Sequence, residues 1–220
     1  MFVKSIIFAV AITLVHAGPN QIVRPCALND LKCLTDNFSA NSGCSRQLNG
    51  PIAPQYVVGE FKFETPYFNS SYIDRNLIVR NHDKCFVSEF FFNVKTDTSV
   101  ITIDCPSLDL QSKRTLIRHQ SGREDEYFHF NYRAVYPLVR LTMNIKHADT
   151  MQVCSAFTFA DITQLPTFIV DPTDKPTANF LSTDLSFMNI YERENFSYRA
   201  GPLMKIFINS NICNFGCIDS

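Results

Sequence analysis

The sequence lacks the short motifs that mark most metal and nucleophile sites. No two cysteines are separated by only two residues, which argues against a zinc knuckle and against a thioredoxin-type redox pair. The patterns G-x-S-x-G and H-E-x-x-H and a glycine-rich phosphate loop are also missing. The sequence therefore predicts no enzyme, no metal site and no cofactor.

An excess of charge of one sign is also missing. Charged residues make up 19% of the chain, and 20 basic residues against 21 acidic ones give a formal net charge of −1. A balance this close to neutral argues against a nucleic acid partner and against a polybasic membrane anchor. Phenylalanine is common instead, at 20 residues, which predicts a thick core or an apolar contact surface.

The N-terminal segment combines one lysine with a short apolar run. Lys4 precedes the apolar stretch Ser5–Val15, and Val15 and Ala17 are small residues at the expected cleavage site. This pattern is typical of a secretory signal peptide, here residues 1–17, because the run is too short for a membrane-spanning helix. We therefore expect an exported mature chain, residues 18–220, that forms a single domain without a membrane span.

Eight cysteines follow this leader, and an even number in an exported chain predicts four disulfides. Cys26 and Cys33 cannot be bridged inside one straight helix. Seven residues of helix span about 10.5 Å, whereas a disulfide needs Cα atoms roughly 4.4–6.8 Å apart. Pro25 keeps the preceding backbone extended, and Asn29 or Asp30 can cap a helix that begins just after. We predict that Cys26 lies before this helix and folds back onto Cys33.

A second bridge is predicted around a short hairpin. Cys85 and Cys105 flank the turn sequence "KTDT", Lys95–Thr98, so the two strands of the hairpin would bring them together. The other four cysteines should form two more bridges, and the sequence leaves their pairing open: Cys44, Cys154, Cys213 and Cys217.

Three sequons agree with export. They begin at Asn37, Asn69 and Asn195, and each predicts a surface N-glycan. A fourth match, Asn211-Ile212-Cys213, is a poor candidate because its cysteine is expected to be bridged.

The hydrophobic pattern predicts an α+β fold. Leucines and Phe38 recur at helical spacing over residues 28–38, whereas Leu138–Lys146 alternates as a half-buried strand does, and Tyr136-Pro137 before it predicts a bend or an edge. Prolines predict a long loop over residues 162–179. The C-terminal part then returns to helix, since Leu181, Leu185 and Met188 share a helical spacing and Pro202 suits a first helical turn. The strands should be antiparallel, because no helix long enough for a crossover separates them. We expect a disulfide-stapled antiparallel sheet packed with N- and C-terminal helices.

Several long strings carry a resemblance over nearly the whole chain: "RPCALNDLKCLTDNF", "FETPYFNSSYIDRNLIVRNHDKC", "SEFFFNVKTDT", "DKPTANFLSTDLSFMNIYERE" and "FINSNICNFGC". On these strings the chain resembles the fibrohexamerin family, the small glycoprotein subunits of lepidopteran silk fibroin. The resemblance implies a protein secreted into the silk gland lumen and the silk fibre. It implies a chaperone-like role, in which noncovalent association with the disulfide-linked heavy and light fibroin chains aids their solubility, assembly and secretion.

A second resemblance concerns the fold. The early C-x6-C, the aromatic-rich strands and the C-terminal helix are similar to the juvenile-hormone-binding and takeout-like proteins. This likeness implies a strongly curved antiparallel sheet wrapped around a long helix. It also implies an alternative function, a carrier of a small apolar ligand, which would need a cavity on the order of 300 Å3. A hydrolase would need convergent polar groups in a cleft, and the sequence locates none.

The run Phe90–Phe92 is a candidate for apolar contact with a partner. Three consecutive phenylalanines in a strand bury at least one face in the protein's own core. The sequence therefore assigns no partner-binding residue.

Overall fold

The computed structural model describes residues 25–46, 53–65, 69–93, 95–147 and 151–217, without the side chains of residue 41 and residues 184–195. The predicted leader, residues 1–17, lies outside these residues. In chain order the elements are α1 (Leu31–Ser42), β1 (Ser45–Arg46), β2 (Gln55–Thr65), β3 (Ser70–Arg80), β4 (Phe86–Asn93), β5 (Thr98–Arg118), β6 (Glu126–Lys146), β7 (Phe157–Ile162), β8 (Thr167–Pro172), α2 (Lys175–Asn211) and β9 (Cys213–Asn214).

Two long antiparallel strands, β5 and β6, form the spine of a seven-stranded sheet. Each has 21 residues, and they pair along their whole length. On one side, β3 and β4 pair with different halves of β5, and β2 pairs with β3. On the other side, β7 and β8 pair with different halves of β6. All these pairings are antiparallel, so the predicted α+β class with an antiparallel sheet is confirmed.

Each spine strand has a proline at the point where one outer neighbour strand ends and the next begins. Pro137 lies between the part of β6 that pairs with β8, ending at Val135, and the part that pairs with β7, beginning at Val139. Pro106 occupies the equivalent gap on β5, between β4 and β3. A proline has no N–H to donate to a ladder, so it is tolerated where the strand has no outer neighbour. The bend or edge predicted at Tyr136-Pro137 is therefore a gap beside a continuous strand.

Helix α1 begins as the sequence predicts. The Asp30 carboxylate accepts a hydrogen bond from the backbone N–H of Cys33 at 2.9 Å, and Gly43 ends the helix in the left-handed conformation at φ 67°. Phe38 is fully buried and its ring lies 5.3 Å from that of Phe90 and 5.7 Å from that of Phe215, measured between centroids. One side chain thus joins α1, the sheet and the C-terminal segment.

The loop predicted for residues 162–179 is wrong, whereas the C-terminal helix is confirmed but is longer than predicted. Strand β8 lies inside the predicted loop. The helical spacing from Leu181 and the helix expected around Pro202 belong to one helix, α2, of 37 residues. The Asp174 side chain caps α2 by accepting from the N–H of Thr177 at 2.7 Å, and Pro176 fits the first turn, where no N–H is needed. Pro202 interrupts the helix interior at a cost of about 3 kcal/mol, which burial of neighbours such as Leu203 offsets.

The core lies between α2 and one face of the sheet. Helix α2 contacts β2, β6, β7 and β8. Its inward side chains are fully or almost fully buried: Phe196, Ala200, Met204, Phe207 and Ile208. They face apolar residues of the two spine strands, and together these form one continuous cluster. The opposite face of the sheet points outward.

Candidate interaction surface

The interior holds an ion pair that ties two strands together. Arg114 on β5 donates to both carboxylate oxygens of Asp74 on β3, through Nε at 2.7 Å and Nη2 at 3.0 Å, and the Ser112 hydroxyl donates to the same carboxylate at 2.8 Å. Neither side chain of the ion pair is exposed. Burial acts to raise the pKa of Asp74. The charge and hydrogen bonds of Arg114, with help from Arg199 and Ser112, outweigh it and hold the pKa below its ordinary value.

A second arginine links α2 to this buried group. The Arg199 guanidinium lies 4.7 Å from the centroid of the Phe63 ring, and its Nη1 donates to the Tyr136 hydroxyl at 3.5 Å. The Arg114 guanidinium stacks 3.6 Å from the centroid of the Tyr132 ring. These groups are buried from solvent, so we interpret them as the anchor of α2 on the sheet and not as a site that meets a ligand.

The structure joins all eight cysteines within the chain and leaves none free. The bridges are Cys26–Cys33, Cys85–Cys105, Cys44–Cys213 and Cys154–Cys217. The first two are the pairs derived from the sequence, and the last two are among the pairings that it left open. Cys26 lies before α1, with its Cα 5.5 Å from that of Cys33 in the first turn. No thiol remains to bind a metal or to bridge to another chain.

The described sequons differ in access. Asn37 lies within α1 with 3% of its surface exposed, and its Nδ2 donates to the Cys26 sulfur at 2.8 Å. Asn69 is exposed at the turn before β3, and Asn195 lies in α2, where its side chain is not described. Because a glycan is attached at Nδ2, this structure favours Asn69 over Asn37. Glycosylation at each of the three stays a prediction.

A row of three polar side chains lies at the end of the β5–β6 hairpin. The Ser71 hydroxyl is 2.6 Å from Nε2 of His119, and Nδ1 of the same ring is 2.9 Å from the Asp125 carboxylate. This is the order of a serine nucleophile, its base and the group that orients the base. This row was not predictable from the sequence, because Ser71 and His119 are 48 residues apart. His119 and Asp125 are each more than a third exposed, so the row lies at the surface.

Two small apolar cavities between α2 and the sheet are lined entirely by described side chains. One has a volume of about 20 Å3 and lies beside His82 and the Cys85–Cys105 bridge. The other has a volume of about 10 Å3 and lies beside Phe61 and Arg199. Each has room for about one water molecule. Burial lowers the pKa of His82 below its ordinary value, against a smaller raising effect of the Asp83 carboxylate.

Four phenylalanines are exposed on the outward face of the sheet. Phe86 and Phe91 on β4 are 50% and 55% exposed, and Phe157 and Phe159 on β7 are 69% and 42% exposed. Strands β4 and β7 flank the same end of the spine, one on each side. In the run Phe90–Phe92, the outer two rings are half-buried and only the middle ring is exposed, so one face is buried as expected. The sequence did not find this surface, because alternating aromatic residues are typical of a buried face.

Residues 25–46, 53–65, 69–93, 95–147 and 151–217 offer neither a metal cluster nor a membrane-spanning helix. Within them, no three His, Cys, Asp or Glu side chains lie close enough together to hold a metal ion. No helix in this part of the chain combines the length and the apolar content that crossing a membrane requires.

Known proteins match this chain in sequence and in fold. Residues 22–217 match the family described as Fibroin P25. The protein fibrohexamerin of Galleria mellonella is 59% identical over 215 residues, which cover 97% of this chain and 99% of that protein. Takeout 1 of Epiphyas postvittana, a solved structure, has a TM-score of 0.50 and 10% identity, over 87% of this chain and 94% of its own. At this identity the takeout likeness shows the fold alone, and it agrees with the predicted curved sheet around a long helix.

Proposed function

The chain belongs to the Fibroin P25 family and is a silk fibroin protein by homology, and we propose that it binds the fibroin heavy and light chains without covalent bonds. In this role it aids their solubility, assembly and secretion. The observation that carries the proposal is the 59% identity to fibrohexamerin across nearly the whole of both chains. The resemblance drawn from the sequence is confirmed by the same comparison.

The cysteine pairing supports a noncovalent association. All eight cysteines are bridged within the chain, so none is left for a disulfide to a fibroin chain. Any stable complex must then rest on packing, hydrogen bonds and charge. The four exposed phenylalanines offer apolar area for such contact, and they lie on a rigid sheet rather than on a loop.

The proposed role follows from the chemistry of a β-rich partner. Chains with small side chains and strong β tendency pair edge to edge and aggregate at high concentration. A partner that covers their apolar segments, and that carries N-glycans, would keep them soluble until assembly. We further propose that residues 1–17 are removed as a signal peptide. Residues 18–220 would then reach the silk gland lumen and the fibre as one domain.

The two other functions find less support. A carrier of an apolar ligand needs a cavity on the order of 300 Å3. Among the described side chains, which leave out residues 184–195 of α2, the cavities have volumes of about 20 and 10 Å3. The Ser71–His119–Asp125 row has the spacing of a hydrolase but lies open to water, where charge stabilisation of a transition state is weak. We therefore propose a non-catalytic role. Labelling of Ser71 by a fluorophosphonate, at a rate above that of the denatured protein, would contradict it.

The direct test is capture of partners from the secreting tissue. The native protein is immunoprecipitated without reductant, and the bound chains are identified by mass spectrometry. We expect fibroin heavy and light chains in the precipitate, released by denaturant alone. Release that requires a reductant would refute the noncovalent binding, and absence of both chains would refute the function.

A further inference from the structure

We propose that an extended segment of a fibroin chain, with small uncharged residues and one basic residue, lies in a trough on the outward face of the sheet. This inference rests on the proposed function and names the surface that serves it. We call the feature the Phe trough. Its walls are the four exposed phenylalanines, and its floor is formed by three outward residues from each spine strand: Val100, Thr102 and Asp104 on β5, and Arg140, Thr142 and Asn144 on β6.

A β-bulge builds the first wall. Phe86 and Phe91 are five residues apart, so in a regular strand their side chains would point to opposite faces. Ser88 is an extra residue in β4, and the pairing with β5 shifts there. As a result, Phe86 lies opposite Asp104 and Phe91 lies opposite Val100, two outward residues of β5. Both rings therefore stand on the outward face.

The second wall lies on the far side of the spine. Phe159 is opposite Thr142 and Phe157 is opposite Asn144, again outward positions, and the two rings lie 6.3 Å apart between centroids. Strands β4 and β7 are three strand spacings apart, or about 14 Å. That width accommodates one extended chain between two aromatic walls.

The middle of the floor is buried, which limits how closely the backbone of an occupant can approach the sheet. Thr102 is buried, and its hydroxyl lies 3.2 Å from that of Thr142 and donates to the Glu89 carboxylate at 3.2 Å. Val100 is half-buried between the two walls. Because Thr102 and Asp104 are already covered, a segment with small side chains would rest on Val100, Thr142 and Asn144 between the walls, whereas large side chains would hold it above them.

Charge sets the expected polarity of the occupant. At one end of the trough, Arg140 makes two hydrogen bonds of 2.7 Å to Asp104. The negative charges of Glu89 and of Asp161, which lies opposite Arg140 on β7, also attract this guanidinium, so three carboxylates accompany one cation. Lys146 lies on β6 beyond the other end. A basic residue of the occupant would therefore lie over the Arg140 end.

The test compares matched surface variants in the capture experiment. Phe91→Ser with Phe157→Ser removes one ring from each wall, and Tyr127→Ser with Ile169→Ser removes equally exposed apolar groups elsewhere. We expect at least a tenfold loss of captured fibroin chains for the trough pair and less than a twofold loss for the control pair. Circular dichroism and thermal midpoints confirm that both variants are folded.

The outcomes separate the two proposals. If the unaltered protein captures no fibroin chain, the proposed function fails. If it does, and the trough pair captures as much or the control pair loses as much, the Phe trough is overturned. A photo-crosslinking residue at position 91 identifies the occupant. A fibroin peptide of small residues with one lysine or arginine supports the proposal, whereas a second copy of this chain, a segment of large side chains or no crosslink overturns it.

Discussion

Removal of the buried carboxylate of Asp74 should be among the most damaging single changes in the protein. Asp74 accepts three hydrogen bonds, two of them from the Arg114 guanidinium, and the charge of Arg199 also acts on it. In Asp74→Ala, the two guanidinium groups remain buried without this carboxylate. Breaking a buried pair from one side costs about 3–5 kcal/mol. We expect a loss of that size in the free energy of unfolding.

Urea denaturation followed by far-UV circular dichroism, with the disulfides intact, measures this loss. A triple variant, Asp74→Leu with Arg114→Met and Arg199→Met, removes all three charges together and should recover most of it, because apolar residues of similar volume replace buried ions at little net cost. Glu60→Ala is the surface control, since that carboxylate is exposed and should leave the midpoint unchanged. A loss below about 1 kcal/mol for Asp74→Ala would refute the claim that the pair is desolvated.

Three further predictions concern pH, covalent links and packing. The pKa of Asp74 lies below its ordinary value of 3.8, so its contribution to stability is present above that pH and is lost as pH falls through the lowered pKa. As pH is lowered below about 4, the urea midpoint of Asp74→Asn should therefore fall less steeply than that of the unaltered protein. Equal slopes of midpoint against pH in the two proteins would contradict this. Opening the 169-residue loop with Cys44→Ser and Cys213→Ser should lower the free energy of unfolding by about 5 kcal/mol, as measured by urea denaturation. A loss below about 2 kcal/mol would show that this bridge constrains the unfolded chain little. Phe38→Ala should lower the unfolding free energy by about 3–5 kcal/mol and Phe38→Leu by clearly less, and equal losses would argue against a packing role.

Local chemistry made part of the fold predictable. The Asp30 cap and the Cys26–Cys33 bridge follow from residues within one short segment. The alternation of Leu138–Lys146 shows which of its side chains face the core. Strand β8 escaped prediction because Pro166 and Pro172 suggest a loop. They lie just before the strand and at its last residue, and β8 is a short edge strand that pairs with β6. Edge strands tolerate proline, so composition misleads there.

The features that depend on distant contacts were not predictable. Asp74 and Arg114 are 40 residues apart, and nothing in either neighbourhood signals that both side chains face the core. The continuity of α2 through Pro202 is decided by packing on the sheet, which outweighs local propensity. The Phe trough depends on one extra residue, Ser88, whose effect is visible only once the strand register is known.

The Cys44–Cys213 bridge makes the main part of the protein a covalent ring. It joins residues that flank nearly the whole sheet and all of α2, and the adjacent strands β1 and β9 pair beside it. A protease that cut the exposed turn between β5 and β6 once would open the ring without dividing the molecule. The two parts would stay linked through sulfur as well as through the spine, so a nicked molecule would migrate as one species until it was reduced. In the fibre that we propose as its destination, where a damaged protein is not replaced, the ring would keep the molecule folded after one cut.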